Sequence, residues 1–254
     1  MTVTVFAQDG IIDWNKGVVK ATGMAAGKKG EKRISLARAQ ARRAARMDAE
    51  RNLGEQIQGV QVTGESSLRD LALEYDIVKT QMAAVIKNMH EAGEPKYNED
   101  GTCEITLEIP LWGKSSVAGI AFVPFKAQVK TPFPEPSTNM STNHNEKYTG
   151  LIVDCSNLEL SPVMSPMIKN ENDVSIYDYQ KIDYEKIVQR GMVSYTRDKS
   201  NQTRAGNNPL IVKAIKIDDN NSNPIITVED ADTILLANQT NKFLENCAVV
   251  FITQ

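Results

Sequence analysis

The stretch Ile34–Gln58, ISLARAQARRAARMDAERNLGEQIQ, limits what the first half of this chain can fold into more than any other. Good helix formers fill most of it, Gly30 precedes it, and Gly59 follows where a left-handed C-terminal cap would sit. Start, body and stop together predict one long helix. Ala37, Ala41, Ala45, Ala49, Leu53 and Ile57 recur every fourth residue, with Ile34 and Ala44 filling in, so an apolar stripe winds along it and should face a sheet. Because most of the stripe is alanine, the helix axis can approach its partner closely, and a bulky side chain at Ala45 would overpack the contact. The opposite face carries Arg38, Arg42, Arg43, Arg46, Asp48, Glu50, Arg51 and Glu55. Arg46 to Glu50 and Arg51 to Glu55 are four apart and Asp48 to Arg51 three apart, so this face can neutralise itself as a solvated surface. The whole chain carries a formal net charge of -3, which argues against nucleic acid as a partner.

With 254 residues and 41% hydrophobic content, the chain is long enough for two compact domains. No window approaches the run of about 20 apolar residues that spans a bilayer. Residues 1–8, MTVTVFAQ, form an apolar run with Val5-Phe6-Ala7 before a polar Gln8-Asp9-Gly10, and read as the remnant of a secretory signal whose charged start would lie upstream. No cysteine near this point offers a lipid-attachment site. Cys103, Cys155 and Cys247 lack metal-ligand spacing and read as small buried hydrophobes; in an exported chain Cys155 and Cys247 are the pair available for a bridge.

Residues 9–126 read as one α+β domain of order β-α-β-α-β-β. A strand over Gly17 to Gly23 leads into a Gly/Lys-rich turn, the long helix follows, and Val60-Gln-Val-Thr63 reads as a short strand. Leu71, Leu73, Ile77, Val78, Met82, Val85, Ile86 and Met89 lie near helical spacing and predict a second helix. Ala92 to Tyr97, the turn Asn98-Glu-Asp-Gly101 and the strictly alternating Cys103 to Ile109 form a hairpin pattern. An apolar tail, Leu111 to Phe125, closes this half. Residues 127–146, with three prolines between Pro132 and Pro136 and then a Ser/Thr/Asn run, read as a linker. Residues 147–254 read as a strand-rich α+β domain with one clear helix. Its strands are expected over Tyr148 to Asp154, Pro162 to Ile168, Gly191 to Thr196 and Leu210 to Ile217. The capping box Thr227-Val-Glu-Asp230 opens the helix, and Ala248-Val-Val-Phe-Ile252 is a continuous apolar run suited to a central strand.

Candidate chemistry is sparse. Gly23-Met-Ala-Ala-Gly27-Lys28-Lys29 sits between strand and helix like a phosphate-binding loop, but has three residues between its glycines instead of four and Lys29 where a hydroxyl must hold magnesium. A plain turn is the better reading. Asp219-Asn-Asn-Ser-Asn223 offers oxygens at alternate positions, yet Pro224 replaces the glycine an EF-hand requires and Asp230 the bidentate Glu, so an Asx-rich loop is expected. His90 and His144 lie in different segments, Asp154 at a strand end has no recognisable partner, and no acid–base pair or activated nucleophile assembles. No catalytic, cofactor-binding or metal residue is therefore assigned. Tyr177, Tyr179, Tyr184 and Tyr195 fall within about twenty residues; they could stack on a ligand such as a glycan, but a packed or hairpin role is the better reading.

Gly17-Val-Val-Lys-Ala-Thr-Gly23, Ala39-Gln-Ala-Arg-Arg-Ala-Ala-Arg-Met-Asp-Ala49 with Asn52-Leu53, Gly59-Val-Gln-Val62 and Asp100-Gly-Thr-Cys-Glu-Ile-Thr-Leu-Glu-Ile-Pro-Leu111 form an ordered set over about residues 16–113. This set resembles the bacterial LPP-twenty envelope lipoprotein family and the related N-terminal domain of the flagellar assembly protein FlgT. The resemblance implies an exported, non-enzymatic α+β module of the Gram-negative envelope, periplasmic or outer-membrane-associated, that works through contacts with other envelope components. It supplies no catalytic residues, and the lipidation cysteine of the lipoprotein members is not present. The second half resembles no characterised family, and a link to flagella rests on analogy alone. The expected function is that of a structural and interaction protein of the cell envelope. An exported ligand- or glycan-binding module, with its site in the second half, is the alternative.

Overall fold

A computed structural model describes residues 10–86, 89–137, 147–198 and 203–254. The architecture is mixed α+β, divided between two compact units, one of residues up to Val60 with Leu68–Ile120 and the other of Gln61–Ser67 with Ala121–Gln254. The secretory remnant, residues 1–8, lies outside the described residues, as do His144 and the second part of the expected linker. Among the described residues, no helix is long and apolar enough to cross a membrane.

In the first unit, β1 (Gly10–Asp13), β2 (Val18–Ala26), β5 (Thr102–Pro110) and β3 (His90–Glu91) make an antiparallel sheet in that spatial order, and β4 (Lys96–Tyr97) also pairs with β5. Strict alternation along β5 buries Cys103, Ile105, Leu107 and Ile109 on one face. The other face is polar and cross-paired: Lys20 Nζ lies 2.5 Å from Glu108, the Thr22 and Thr106 hydroxyls 2.8 Å apart, and Lys96 Nζ 3.4 Å from Glu104. Hydrogen bonding and charge from Lys20 hold the Glu108 carboxyl below the usual carboxylate range.

The helix α1 covers the apolar face and spans Ile34–Gln58. Ala41, Ala45, Ala49, Leu53 and Ile57 are fully buried, so the alanine stripe does face the sheet. Ala37 and Ala44 are half-buried and Ile34 lies outside the stripe, exposed in the first turn. The expected left-handed cap at Gly59 is not formed. Its φ is −80°, its N–H is shared between the carbonyls of Glu55 and Gln56 at 3.2 and 3.1 Å, and Val60 N–H bonds to Ile57 at 3.2 Å. The last turn tightens and satisfies its own carbonyls, so no left-handed residue is needed.

Other expectations are corrected by where backbone groups find partners. The region from Leu71 to Met89 holds two helices, α2 (Leu68–Glu74) and α3 (Asp76–Val85), separated by extended Tyr75 with φ −124°. Leu73 and Ile77, which the periodicity counts as core, are 83% and 49% exposed, while Asp70 and Asp76 each sit in a first turn where the helix dipole favours them. Val60–Thr63 is not a strand: Gln61 bridges Ser67, and the Gln61 and Val62 carbonyls, which belong to the second unit, accept from Met164 and Ser165 of that same unit at 3.0 and 2.8 Å. The Asn98–Gly101 hairpin turn forms as expected, with Gly101 at φ 83°. β1, not anticipated, pairs only with β2 as far as Ala21. The apolar tail holds a short helix, α4 (Val117–Ala121).

The second unit contains two four-stranded sheets. β6 (Gly150–Asp154), β9 (Ser194–Thr196), β10 (Pro209–Lys213) and β13 (Val249–Ile252) form an all-parallel sheet ordered β10-β6-β13-β9. All four residues of β13 are buried, so the apolar run is a central strand as its composition requires. β7 (Ile168–Asn170), β8 (Ser175–Tyr177), β11 (Lys216–Ile217) and β12 (Pro224–Ile226) make a mixed sheet ordered β11-β12-β7-β8. Leu210 to Ile217 is thus two strands in different sheets. Ala214 N–H still bonds to Asp154 O at 3.1 Å, whereas Ile215 N–H bonds to Ile225 O at 2.8 Å, and the chain changes sheet between them.

Pro162 to Met167 forms no ladder, because Tyr195 Oη occupies both Val163 N–H and C=O and Asn223 Oδ1 accepts from Met167 N–H. Helix α6 (Val228–Asn241) begins at Thr227, whose hydroxyl accepts from Asp230 N–H at 3.0 Å, as the capping box predicts. The seven-residue α5 (Tyr184–Arg190) is a helix the sequence reading does not anticipate. Within the stretch expected to be a linker, Thr131 N–H donates to Gln180 O at 3.0 Å and Ser137 N–H to the buried Asp232 carboxylate at 2.7 Å, so these residues are tied down along the second unit.

Candidate functional site

A cleft in the second unit is built on two capped turns. Asp178, in extended backbone, caps the 3-10 turn Tyr179–Lys181: one carboxylate oxygen accepts from Gln180 N–H at 2.9 Å. The other receives Lys181 Nζ at 2.7 Å and the Ser175 hydroxyl at 2.5 Å. This ion pair is nearly buried, and with its remaining lone pairs satisfied it fixes the turn that presents Tyr179. Asp183 then caps α5 by accepting from Glu185 N–H at 3.0 Å and receives Lys130 Nζ at 2.9 Å. Bonding and charge from Lys130 hold the Asp183 carboxyl below the ordinary carboxylate range.

The facing wall comes from the 3-10 turn Val123–Phe125 and the chain beyond it. The Phe125 ring lies 5.0 Å from that of Tyr179 in a tilted arrangement, and Phe122 meets Phe125 edge-on at 6.5 Å. Lys126 Nζ sits 5.5 Å from the centroid of the Tyr184 ring, a cation–π contact. These residues line an open cleft of about 120 Å³, bordered also by Gln128, Gln180 and the buried Ile182 and Ile187. Chemically it offers aromatic stacking surface, two ammonium groups, two amides and one carboxylate.

Of the four clustered tyrosines, Tyr179 and Tyr184 line this cleft and Tyr177 and Tyr195 do not. Tyr177 is wholly buried and its hydroxyl donates to Met192 O at 2.8 Å; Tyr195 donates to Val163 O at 2.9 Å. Burial raises the pKa of both phenols. The end of the strand explains the split, since Tyr177 closes a strand whose last two residues are both buried, whereas Tyr179 falls in the turn after it. Phe122, Phe125, Lys126, Lys130 and Asp183 are cleft residues that sequence reasoning missed. The available signal was the Phe122/Phe125 pair beside two lysines and a proline-rich run, which pattern alone assigns to a core edge and a linker.

The remaining candidates resolve into architecture. Gly23 is not in a loop: β2 continues to Ala26, and Met24 and Lys28 N–H donate to Asp48 and Gln40 of α1, both at 3.1 Å. Two of the backbone N–H groups in this stretch are therefore occupied; the strand runs on to Ala26, and the expected turn follows it, with Glu31 N–H bonded to Lys28 O at 3.2 Å. In the Asx-rich loop, Asp218 accepts from Ser222 and Asn223 N–H at 2.9 and 3.0 Å and from the Asn223 side chain at 2.6 Å. Among the described residues no group of three or more His, Cys, Asp or Glu side chains is placed to hold a metal ion. His90 Nε2 lies 3.1 Å from Glu108 on the polar sheet face, and Asp154 accepts from Ser156 N–H at 2.9 Å.

The three cysteines are free and buried. Val249 is in register with Leu151 and Ile252 with Asp154, so Cys247 lies before one end of this strand pair and Cys155 beyond the other. That places them about 20 Å apart along the strands at ~3.3 Å per residue, far beyond disulfide reach. Burial pushes the Cys155 thiol up to about 12 and raises that of Cys247. A thiol titration in denaturant without reductant should count three reactive groups; a count of one would contradict this register.

Residues 150–254 match the family model described as Treponema pallidum Tp0624, second domain. The match begins at the first residue of β6 and runs through both sheets of the second unit. A comparison with curated proteins finds no match.

Proposed function

We propose that this chain is a non-enzymatic structural and interaction protein of the bacterial cell envelope, exported to the periplasm or to an outer-membrane-associated position, whose two units present surfaces to envelope partners. The reading is carried by the ordered motif set over residues 16–113. Its four pieces fall on β2, on α1, at the end of α1 and on β5, so the resemblance to the LPP-twenty family and the FlgT N-terminal domain coincides with one helix-on-sheet layer. The similarity of residues 150–254 to a domain of a Treponema pallidum protein is in keeping with a bacterial setting. Assistance to an assembly such as the flagellum follows from the FlgT analogy only.

Fractionation of the native cell followed by in-cell crosslinking tests this. The chain should appear in the periplasmic or envelope fraction and crosslink to envelope proteins; recovery from the cytoplasm overturns the reading. The second reading, an exported ligand- or glycan-binding module, is favoured by the cleft around Tyr179 and Tyr184.

A further inference from the structure

We infer that the cleft lined by Phe125, Tyr179 and Tyr184 is a binding site for a single ring of a neutral saccharide. The inference rests on the second reading above and names its ligand class. Size comes first. At about 120 Å³ the cleft is well below the several hundred Å³ of pockets that enclose drug-sized ligands, so it takes one ring-sized group and leaves the rest of a chain outside. The walls come second. Phe125 and Tyr179, both half-buried and 5.0 Å apart, present aromatic surface that suits the apolar C–H face of a sugar ring.

The rim decides the class. Lys130 Nζ and Asp183 Oδ2 stand 2.9 Å apart, a donor beside an acceptor, and hydroxyl groups, which both donate and accept, can bond to the two together. The Gln128 and Gln180 amides add further donors and acceptors. Lys130 and Asp183 neutralise each other and Lys126 Nζ lies over the Tyr184 ring, so the rim holds no unengaged charge to select an ion, and a neutral polyhydroxylated ring suits it. The pieces are held before any ligand arrives: Asp178 and Lys181 lock the Tyr179 turn, Asp183 is fixed by its cap on α5, and Thr131 N–H ties the Lys126–Lys130 segment to Gln180 O. Such preorganisation lowers the ordering cost of binding. An extended peptide is the poorer fit, because the cleft is lined by turns and one short helix and no strand edge runs along it for main-chain pairing.

The test is saturation-transfer NMR and calorimetry on the full chain with chitotriose, cellotriose and maltotriose as probes. At least one should bind in the millimolar range, with Tyr179→Ala weakening it by about tenfold or more and Asp183→Asn also weakening it. A control substitution in the first unit, Lys96→Ala, should leave binding unchanged, and far-ultraviolet circular dichroism should show both cleft variants folded. Absence of saturation transfer from all three probes, or binding indifferent to Tyr179→Ala in a folded variant, overturns the proposal. Its failure is separate from that of the envelope assignment, which fractionation decides.

Discussion

Replacing Gly23 with Val should destabilise the first unit by about 3 kcal/mol or more, at the upper end of what overpacked cores show. A Cβ built on Gly23 would stand 2.1 Å from Ala49 N and 2.3 Å from Ala45 O, and these are helix backbone atoms with no rotamer to yield. Gly27 repeats the situation about two helical turns away, its Cβ meeting Ala37 O at 2.5 Å. Strand and helix are glycine against alanine, so the only response available is for α1 to lift off the sheet. Lifting would break the bonds that close the outer edge of β2 beyond β1, where Asn52 Nδ2 donates to Thr22 O at 2.9 Å and Asp48 accepts from Met24 N–H. Both tryptophans, Trp14 and Trp112, belong to the first unit, so urea unfolding followed by tryptophan fluorescence reads this unit alone. A midpoint equal to that of the parent would show that the close approach is not required.

Removing the Arg204 guanidinium should cost the second unit about 3 kcal/mol, the scale for leaving buried partners of a charged group unsatisfied. This largely buried side chain donates to the carbonyl of Cys247 at 2.6 Å, to the Ser194 hydroxyl at 3.0 Å and to the carbonyl of Gly191. It thereby joins the turn that leads into β13, the first residue of β9 and the end of α5. Its acceptors are all neutral, and burial lowers its pKa. The neighbouring Ala205 packs with Ile152, Val250 and Ile252 in the core, so the guanidinium anchors the segment that closes the start of the parallel sheet. Arg204→Met keeps much of the stem and isolates the loss of hydrogen bonds. Far-ultraviolet circular dichroism during urea unfolding should show the shift, and the tryptophan-reported transition should stay in place. Arg204→Lys should recover only part of the loss, because an ammonium lacks the planar fork that reaches three acceptors in different directions.

The extent to which the fold was legible in the sequence depends on how local the deciding interaction is. Helix α1 was legible to the residue because propensity, stripe and boundaries all act within one segment. The hairpin at Asn98–Gly101, the central strand β13 and the Thr227 cap were legible for the same reason. The second helix was misread because apolar spacing cannot show that Tyr75 turns extended and that Leu73 stays in solvent. Pro162 to Met167 was misread because its backbone groups bond to side chains from Tyr195 and Asn223 and to the carbonyls of Gln61 and Val62, all remote in sequence. The cleft was half legible. The tyrosine cluster pointed to the right region, but which two tyrosines reach it was set by the end of β8 and the turn capped by Asp178.

From the sequence alone came the mixed α+β class, the alanine-striped helix and the Arg46–Glu50 and Asp48–Arg51 pairs on its charged face, since these depend on residues one to four positions apart, whereas the pairing of Arg42 and Arg46 with Glu91 of β3 does not. Only the tertiary structure decided that Gly23 and Gly27 are there to admit a helix backbone, that Cys155 and Cys247 stand at opposite ends of a strand pair, and that Lys130 and Asp183 close one rim of an aromatic cleft. The reason is sequence separation. Contacts between residues tens of positions apart are selected by how the layers pack and by which buried polar groups remain to be satisfied, and that information exists only once the chain has closed on itself.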